Sequence, residues 1–273
     1  MFNYLSFGYI PSGDKMQDVI GRFRGHPNLA KRLQAKKIMD VIKVKGGDRI
    51  LDFGCGLGFF TYEFSKRGAD SYGVDLITFP NHYLVGKRFH FFTVKPDSNL
   101  PFGDSFFDKV FVSEVIITLD DPDSRLKELN RVLKRGGEII IVNTLGRRVI
   151  EDAFQYNSFF LKFLLKLYPK SPKNYREFCG AFFSNDNLDR TRWFTVEQLS
   201  QLLKNTNFTA TEVFYPFKNA AFALISWIQF IRICNNKKIY LNFNTIAYLF
   251  LEFLNSISWQ RDLSNVIITA RKS

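Results

Sequence analysis

The chain has 273 residues, of which 46% are hydrophobic and 23% charged, a balance that indicates a folded globular protein and excludes a disordered one. Its three cysteines (Cys55, Cys179 and Cys234) are too few and too far apart for a disulfide framework or a zinc site, so we predict no metal. The formal net charge of +12 leaves four explanations open: nucleic acid, an anionic membrane, an anionic small molecule, or a solvated basic surface.

Strands and helices alternate from residue 28 to residue 143. Apolar residues with helical spacing predict a helix over residues 28–43, and Gly46-Gly47 separates it from a strand over residues 49–53. Further short apolar strands are predicted over residues 71–75, 89–94, 109–113 and 138–142. This alternation is typical of a parallel sheet with crossover helices.

The helix before the last of these strands has clear end signals. Asp121 is a candidate N-cap and Pro122 occupies the first helical position. Gly136-Gly137 is predicted to end the helix. Its buried face is predicted to carry Leu126, Leu129 and Leu133.

After residue 143 the pattern is interrupted twice. Residues 144–193 and 217–259 are apolar and aromatic, whereas a helix beginning at Thr195-Val196, a strand over residues 209–214 and a closing strand over residues 265–271 restore the alternation. We therefore predict one domain over residues 1–273. Residues 28–143 form its cofactor-binding core, and residues 144–193 and 217–259 are helical cap insertions.

A glycine-rich loop gives the strongest signal of a site. The segment Ile50–Gly58 (ILDFGCGLG) runs from a buried strand into three alternate glycines and then into a helix predicted to begin near Phe59. Glycine permits the sharp turn and the close approach of a ligand, and the helix N-terminus offers free N–H groups to an anionic group. Asp75, seventeen residues beyond Gly58, ends the next strand, where a carboxylate can accept hydrogen bonds from ribose hydroxyls.

Two other interpretations of this loop are a nicotinamide dehydrogenase and a purely structural turn. In the dehydrogenase pattern the third glycine comes three residues after the second, whereas Gly58 comes two residues after Gly56. Asp52 would also repel a pyrophosphate but would attract an ammonium or a sulfonium group. The loop therefore favours a cofactor that carries adenosine and a positively charged amino-acid tail.

Several further segments, together with this loop, resemble the class I S-adenosylmethionine-dependent methyltransferases, especially the group that modifies small molecules and lipids. The matching segments are Leu51–Gly58 (LDxGCGxG), Asp75 as the ribose acid, Leu100–Asp108 (similar to LPFxDxSFD), Ser113–Val115, Arg131–Gly137 (similar to RVLKPGG), Trp193–Thr195 and residues 266–271.

The resemblance implies a Rossmann-like α/β fold: a seven-stranded, mostly parallel sheet whose last strand is antiparallel, with helical cap insertions. S-adenosyl-L-methionine would bind at the strand ends, with the glycines and Asp52 at its methionine part, Asp75 at its ribose and Asp97 at its adenine edge. The full predicted cofactor-binding set is Asp52, Gly54, Cys55, Gly56, Gly58, Asp75, Leu76, Asp97, Ser98, Ser113 and Glu114.

No catalytic side chain is predicted. Relatives often carry a histidine after the fourth strand, where this chain has Thr118. The histidines of the chain, His26, His82 and His90, are interpreted as surface or structural residues. Methyl transfer needs mainly alignment of the acceptor and exclusion of water, so a conspicuous catalytic cluster is not required.

The cap insertions bear on the acceptor. Residues 158–168 place two lysines amid Phe and Leu, and residues 220–233 and 246–257 are apolar with isolated polar breaks. Such helices either pack on one another and on the sheet or form a lid that faces lipid. We predict a small or lipid-like amphiphilic acceptor, such as a quinone or a lipid-linked sugar, with peripheral membrane contact as an extension of this hypothesis.

Two alternatives stand beside this prediction. The basic charge motivates an RNA methyltransferase, although no separate RNA-binding module is visible and nucleic acid is therefore disfavoured. A regulator that binds S-adenosylmethionine without catalysis is the second.

The sequence begins with no signal-peptide pattern and contains no run of about 18 apolar residues, so we predict a cytoplasmic protein, with membrane association left open.

Overall fold

The computed structural model describes residues 29–77, 88–144, 192–216 and 265–273, together with Met16 and Phe253. In these ranges the helices are α1 (Leu29–Ile42), α2 (Phe59–Lys66), α3 (Pro122–Val132) and α4 (Val196–Asn205), with a short 3-10 helix over Ile116–Thr118. The strands are β1 (Arg49–Phe53), β2 (Asp70–Asp75), β3 (Phe89–Thr93), β4 (Phe107–Ser113), β5 (Leu133–Thr144), β6 (Phe208–Phe214) and β7 (Asn265–Lys272).

These strands form one seven-stranded sheet in the order β3-β2-β1-β4-β5-β7-β6. The pairs from β3 through β5 are parallel, and β7 runs antiparallel to both β5 and β6. The predicted Rossmann-like sheet with an antiparallel last strand is therefore confirmed. The strand order reverses between β1 and β4, and in open α/β sheets ligands bind at the carboxyl ends of the strands beside such a reversal.

Both faces of the central part of the sheet are buried, which is why β5 and β7 contain the continuous apolar runs of residues 139–142 and 266–268. On one face α1 and α2 pack against the sheet, with Ile38, Ile42 and Phe64 all inaccessible to solvent. On the other face α3 and α4 contribute Leu126, Leu129 and Leu203 to a second core. Because neighbouring strand residues point to opposite faces, Ile50 belongs to the first core and Leu51 to the second.

The glycine pair after α3 does not end that helix, which corrects the prediction. The helix ends at Val132, and Leu133 already pairs with Phe107 in the sheet. Gly136 adopts a left-handed φ of 71°, and a Cβ on Gly137 would lie 2.9 Å from the carbonyl oxygen of Asp108. The two glycines therefore shape an irregularity in β5, at the register shift opposite Phe107 and Lys109.

The cap insertions predicted over residues 144–193 and 217–259 lie outside the described residues, except for Thr144, Arg192, Trp193 and Phe253. The helices that the structure does describe include none long and apolar enough to cross a membrane. The strand predicted over residues 138–142 begins five residues earlier, because β5 already starts at Leu133. The other predicted elements agree with the described ones to within about two residues at each end, a normal uncertainty for element boundaries.

Candidate cofactor site

The glycine loop between β1 and α2 turns back over the end of β2. The N–H groups of Gly54 and Cys55 both donate to the carbonyl oxygen of Val74, at 2.8 and 3.1 Å. Gly54, Gly56 and Gly58 have left-handed φ values of 73°, 54° and 75°, which glycine adopts without strain. A Cβ on Gly54 would also collide with the side chain of Val115, so two independent constraints require glycine there.

Asp52 lies buried beneath this loop, with only 2% of its surface exposed. Its Oδ2 accepts hydrogen bonds from the backbone N–H of Thr61 at 2.9 Å and from the Thr61 hydroxyl at 2.6 Å. Thr61 lies in the first turn of α2, so the carboxylate holds that turn and interacts favourably with the positive end of the helix. Sequence reasoning missed Thr61, although a threonine three residues after Gly58 could have indicated such a contact.

Asp75 joins the end of β2 to the glycine loop. Its Oδ2 accepts from the Gly56 N–H at 2.7 Å, and its Oδ1 accepts from the N–H groups of Leu76 at 2.7 Å and Ile77 at 3.2 Å. The backbone therefore fixes the orientation of this carboxylate. A carboxylate has about four acceptor positions, so Asp75 keeps capacity to accept a hydrogen bond from a ligand hydroxyl.

Cys55 lies against Gly73 of β2. A Cβ on Gly73 would lie 2.8 Å from the Cys55 sulfur and 3.0 Å from the Thr61 hydroxyl, so glycine makes room for both. Burial of the Cys55 thiol, followed by the nearby negative charges of Asp52 and Asp75, raises its pKa far above the usual value. The thiol is therefore protonated at neutral pH and unsuited to act as a nucleophile.

The end of β4 approaches the same loop. The Glu114 N–H donates to the Val142 carbonyl oxygen at 2.9 Å, and Glu114 has a left-handed φ of 59°. The next residue, Val115, is the one that faces Gly54, which places Ser113 and Glu114 beside the glycine loop. The hydroxyl of Thr118 donates to the Val115 carbonyl oxygen at 2.8 Å, a local role within the 3-10 turn.

Asp97 and Ser98 lie in the turn region after β3. Asp97 has a φ of 57°, its side chain is 83% exposed, and its Oδ1 lies 3.6 Å from the Arg125 guanidinium. The Ser98 hydroxyl donates to the Lys95 carbonyl oxygen at 2.8 Å. The structure thus brings Asp75 into direct contact with Gly56 of the loop and holds Asp52 against Thr61 beneath it. Asp97 and Ser98 are linked to Phe53 of β1 through Arg125.

His90 belongs to a separate polar group at the opposite end of β2. Its ring stacks on Tyr72 at 4.5 Å, and its Nε2 lies 2.9 Å from Asp70. Burial, together with the hydrogen bond to Asp70, raises the pKa of Tyr72 to about 12. The structural interpretation of His90 fits this arrangement, and the other two histidines, His26 and His82, lie outside the described residues.

Comparison with known proteins agrees with this geometry. Residues 51–141 match the family model of a methyltransferase domain. The demethylmenaquinone methyltransferase of Staphylococcus saprophyticus is 31% identical over 176 residues, which cover 59% of this chain and 76% of the relative. That of Staphylococcus carnosus is 30% identical over 202 residues, covering 70% and 80%. The chain belongs to the class I S-adenosylmethionine-dependent methyltransferases.

The fold of this methyltransferase also resembles that of solved structures. One is phosphoethanolamine N-methyltransferase 2 of Haemonchus contortus in complex with S-adenosyl-L-methionine, with a TM-score of 0.56 and 22% identity over 88% of this chain and 52% of that one. At this identity the likeness concerns the fold alone.

S-adenosyl-L-methionine, the cofactor of this methyltransferase, fits the groups that the described site presents. When bound, it supplies a methyl group already activated by a positively charged sulfur. Asp52 and Asp75 give the loop a negative field that suits the ammonium and sulfonium charges, and the left-handed glycines leave the backbone open to close approach. The carboxylate of Asp75 retains acceptor capacity for a sugar hydroxyl.

Proposed function

We propose that this methyltransferase transfers the methyl group of S-adenosyl-L-methionine to a small, amphiphilic, quinone-like acceptor. The observation that carries this proposal is the similarity to two demethylmenaquinone methyltransferases, whose names state a quinone acceptor, at 31% and 30% identity. The longer match spans 80% of its relative, so it extends well beyond the glycine loop shared by methyltransferases in general.

Apolar side chains beside the glycine loop support an acceptor of this kind. Leu57, within the loop, and Leu76 and Ile77, directly after Asp75, are all exposed, with Leu76 59% accessible. An exposed leucine or isoleucine gains about 1.5–3 kcal/mol when an apolar ligand or cap covers it fully. These residues thus offer apolar surface beside the cofactor on which an adenine or a quinone ring can rest.

The cofactor contacts within this proposal follow the described geometry. Asp75 would bind the ribose, Asp52 would lie near the amino group, and the backbone of Gly54, Gly56 and Gly58 would hold the methionine part. Cys55, Leu76, Ser113 and Glu114 would line the rest of the pocket, and Asp97 and Ser98 would meet the adenine edge. The protein's contribution is to bind and align the two reactants and to exclude water.

We also propose that the cap insertions of residues 144–193 and 217–259 belong to the same domain as the core and contribute to the acceptor site. Their apolar composition with isolated lysines suits an amphiphile that is taken from an anionic membrane surface by a cytoplasmic enzyme. Membrane contact is therefore proposed as the route by which the acceptor reaches the site.

A labelled-methyl assay tests this function. The purified full chain is incubated with methyl-labelled S-adenosylmethionine and either demethylmenaquinone chemically reduced to its quinol in anionic vesicles, the same quinol in neutral vesicles, or total RNA. The reduced ring is used because the electrophilic sulfonium methyl requires an electron-rich ring carbon as its acceptor. We expect label in the quinone, more from anionic vesicles than from neutral ones. Label in RNA alone, falling steeply with salt, would establish the RNA alternative instead. Binding of S-adenosylmethionine without transfer to any acceptor in cell extract would establish the regulator.

A further inference from the structure

Arg125 in the first turn of α3 is a charged residue in an unusually enclosed place. Its side chain is only 11% exposed. Enclosing a guanidinium is costly unless hydrogen bonds and opposite charges replace the lost water. The contacts that replace the water show what this residue holds in place.

Among the described residues, the Arg125 guanidinium contacts Ser98, Asp97 and Phe53, and it also interacts electrostatically with Glu128. Its Nη1 donates to the Ser98 carbonyl oxygen at 2.7 Å, and its Nη2 lies 3.6 Å from the Asp97 carboxylate. Its Cζ lies 5.9 Å from the centre of the Phe53 ring, within the range of a cation–π contact. Phe53 is the last residue of β1 and directly precedes Gly54. Arg125 therefore connects the turn after β3 to the start of the glycine loop.

The bond to Ser98 is the strongest of these contacts. It is short and charge-assisted, and such hydrogen bonds are about twice as strong as neutral ones. The ion pair with Asp97 contributes little, because the carboxylate is 83% exposed and 3.6 Å away. Farther along the chain, Glu128 accepts from the Leu100 N–H at 2.6 Å. Glu128 thus holds the backbone at Leu100, while Arg125 holds the backbone at Ser98.

We infer that Arg125 is a positioning residue that holds the turn of residues 95–98 where it can recognise the base of the cofactor. The inference rests on the proposed placement of the adenine edge at Asp97 and Ser98. A carboxylate there accepts a hydrogen bond from the exocyclic amino group of adenine, which hypoxanthine lacks. Precise placement of the turn therefore determines the preference for adenine over hypoxanthine.

Isothermal calorimetry with two ligands tests this role without any methyl acceptor. The probes are S-adenosylhomocysteine and S-inosylhomocysteine, which differ at the purine amino group. For Arg125→Met we expect affinity for the adenosine ligand to fall about tenfold and affinity for the inosine ligand to change little, so that the preference for adenine is lost. Arg125→Lys, which retains a donor, should recover part of the preference.

Lys127→Met is the matched control, because it removes the same charge from an exposed position on the same helix. An Arg125→Met protein that loses affinity for both ligands equally, or for neither, overturns the inference. If Arg125→Met fails to fold, the base preference of Arg125→Lys decides: an unchanged preference overturns the inference and a reduced one supports it.

Asp97→Ala separates this inference from the placement of the adenine edge. An unchanged base preference in Asp97→Ala removes the carboxylate from recognition. In that case, loss of the adenine preference in Arg125→Met shows that the turn recognises adenine through its backbone, and an unchanged preference in Arg125→Met overturns the inference. Loss of preference in Asp97→Ala but not in Arg125→Met leaves the adenine edge in place and overturns the positioning role.

Discussion

At the scale of single residues, Gly54 and Gly56 illustrate two different reasons why the loop needs glycine. Both have left-handed φ values, but among the described residues a Cβ on Gly54 meets the side chain of Val115 whereas one on Gly56 meets nothing within 4 Å. We expect Gly56→Ala to lower the free energy of unfolding by about 1–2 kcal/mol, the cost of the left-handed conformation. Gly54→Ala should cost about 1–3 kcal/mol more, from overpacking.

Urea denaturation of the two glycine variants measures this difference. Gly54→Ala combined with Val115→Ala should recover the overpacking part and leave the conformational part. Equal losses for Gly54→Ala and Gly56→Ala would contradict the described contact with Val115.

Asp75 gives the second prediction at this scale. Asp75→Ala removes the proposed ribose partner and also frees the N–H of Gly56, so we expect affinity for S-adenosylhomocysteine to fall at least about tenfold. Asp70→Ala is the control, because Asp70 begins the same strand and contacts Tyr72 and His90 instead of the loop. Calorimetry on both variants makes the comparison. Equal affinity for Asp75→Ala and the unchanged chain would remove Asp75 from the site.

At the scale of elements, α3 holds the connection between β3 and β4 through Glu128 and Arg131. Arg131 donates to both Glu128 oxygens and to the Phe102 carbonyl oxygen. The hydrogen bonds from Arg131 lower the pKa of Glu128 below its usual value, and the Leu100 N–H lowers it further. The carboxylate is therefore held in its charged form in the folded protein.

This lowered pKa predicts acid sensitivity. Between the folded and unfolded pKa values of Glu128, the latter about 4.3, the unfolded chain binds more protons than the folded one. The contribution of Glu128 is thus fully present above pH of about 4.3 and is lost as the pH falls through the lower folded value. We expect Glu128→Gln to flatten the rise in the free energy of unfolding over this window. Urea midpoints measured at several pH values provide the check, and an unchanged slope would contradict it.

The elements also show where sequence patterns succeed and fail. The N-cap Asp121 and Pro122 at the first helical position are local signals, and the structure contains both as predicted. The helix predicted to begin at Thr195-Val196 also begins there, with Thr195 as its N-cap. The pair Gly136-Gly137 failed as a helix stop because its role depends on Asp108, a neighbour in space. A glycine pair looks the same in a sequence whether it ends a helix or bends a strand.

In the site, too, the features set by local spacing along the chain were predictable, and those set by packing were not. The glycine loop and Asp75 follow from spacing along one β-α-β unit, and the structure brings them together. The roles of Thr61 and Arg125 were not predicted. Thr61 bonds Asp52 because that carboxylate is buried beneath α2, and Arg125 bonds the Ser98 carbonyl oxygen, which lies 27 residues away along the chain. Such contacts depend on how the elements pack, which periodicity does not reveal.

At the scale of the whole molecule, β7 is the strand that completes the sheet. It pairs with β5 on one side and β6 on the other, and Val266, Ile267 and Ile268 are fully buried. We expect removal of residues 265–273 to prevent folding, because it exposes this part of the core and leaves two strand edges unpaired. Removal of Ser273 alone, an exposed residue whose hydrogen bonds go to Asn207 and Thr209, is the control. Circular dichroism of both truncations measures the outcome, and a folded larger truncation would contradict it.

The position of β7 also has a consequence for biosynthesis. The ribosome releases the glycine loop and β5 long before β7, because residues 145–264 lie between the two paired strands. During that interval the nascent chain carries an open, apolar strand edge, the kind of surface that attracts chaperones and promotes misassociation. Cells that translate this chain slowly, or that lack chaperone capacity, should therefore accumulate it in inclusion bodies even though β7 pairs with that edge from Glu138 to Thr144 in the finished sheet.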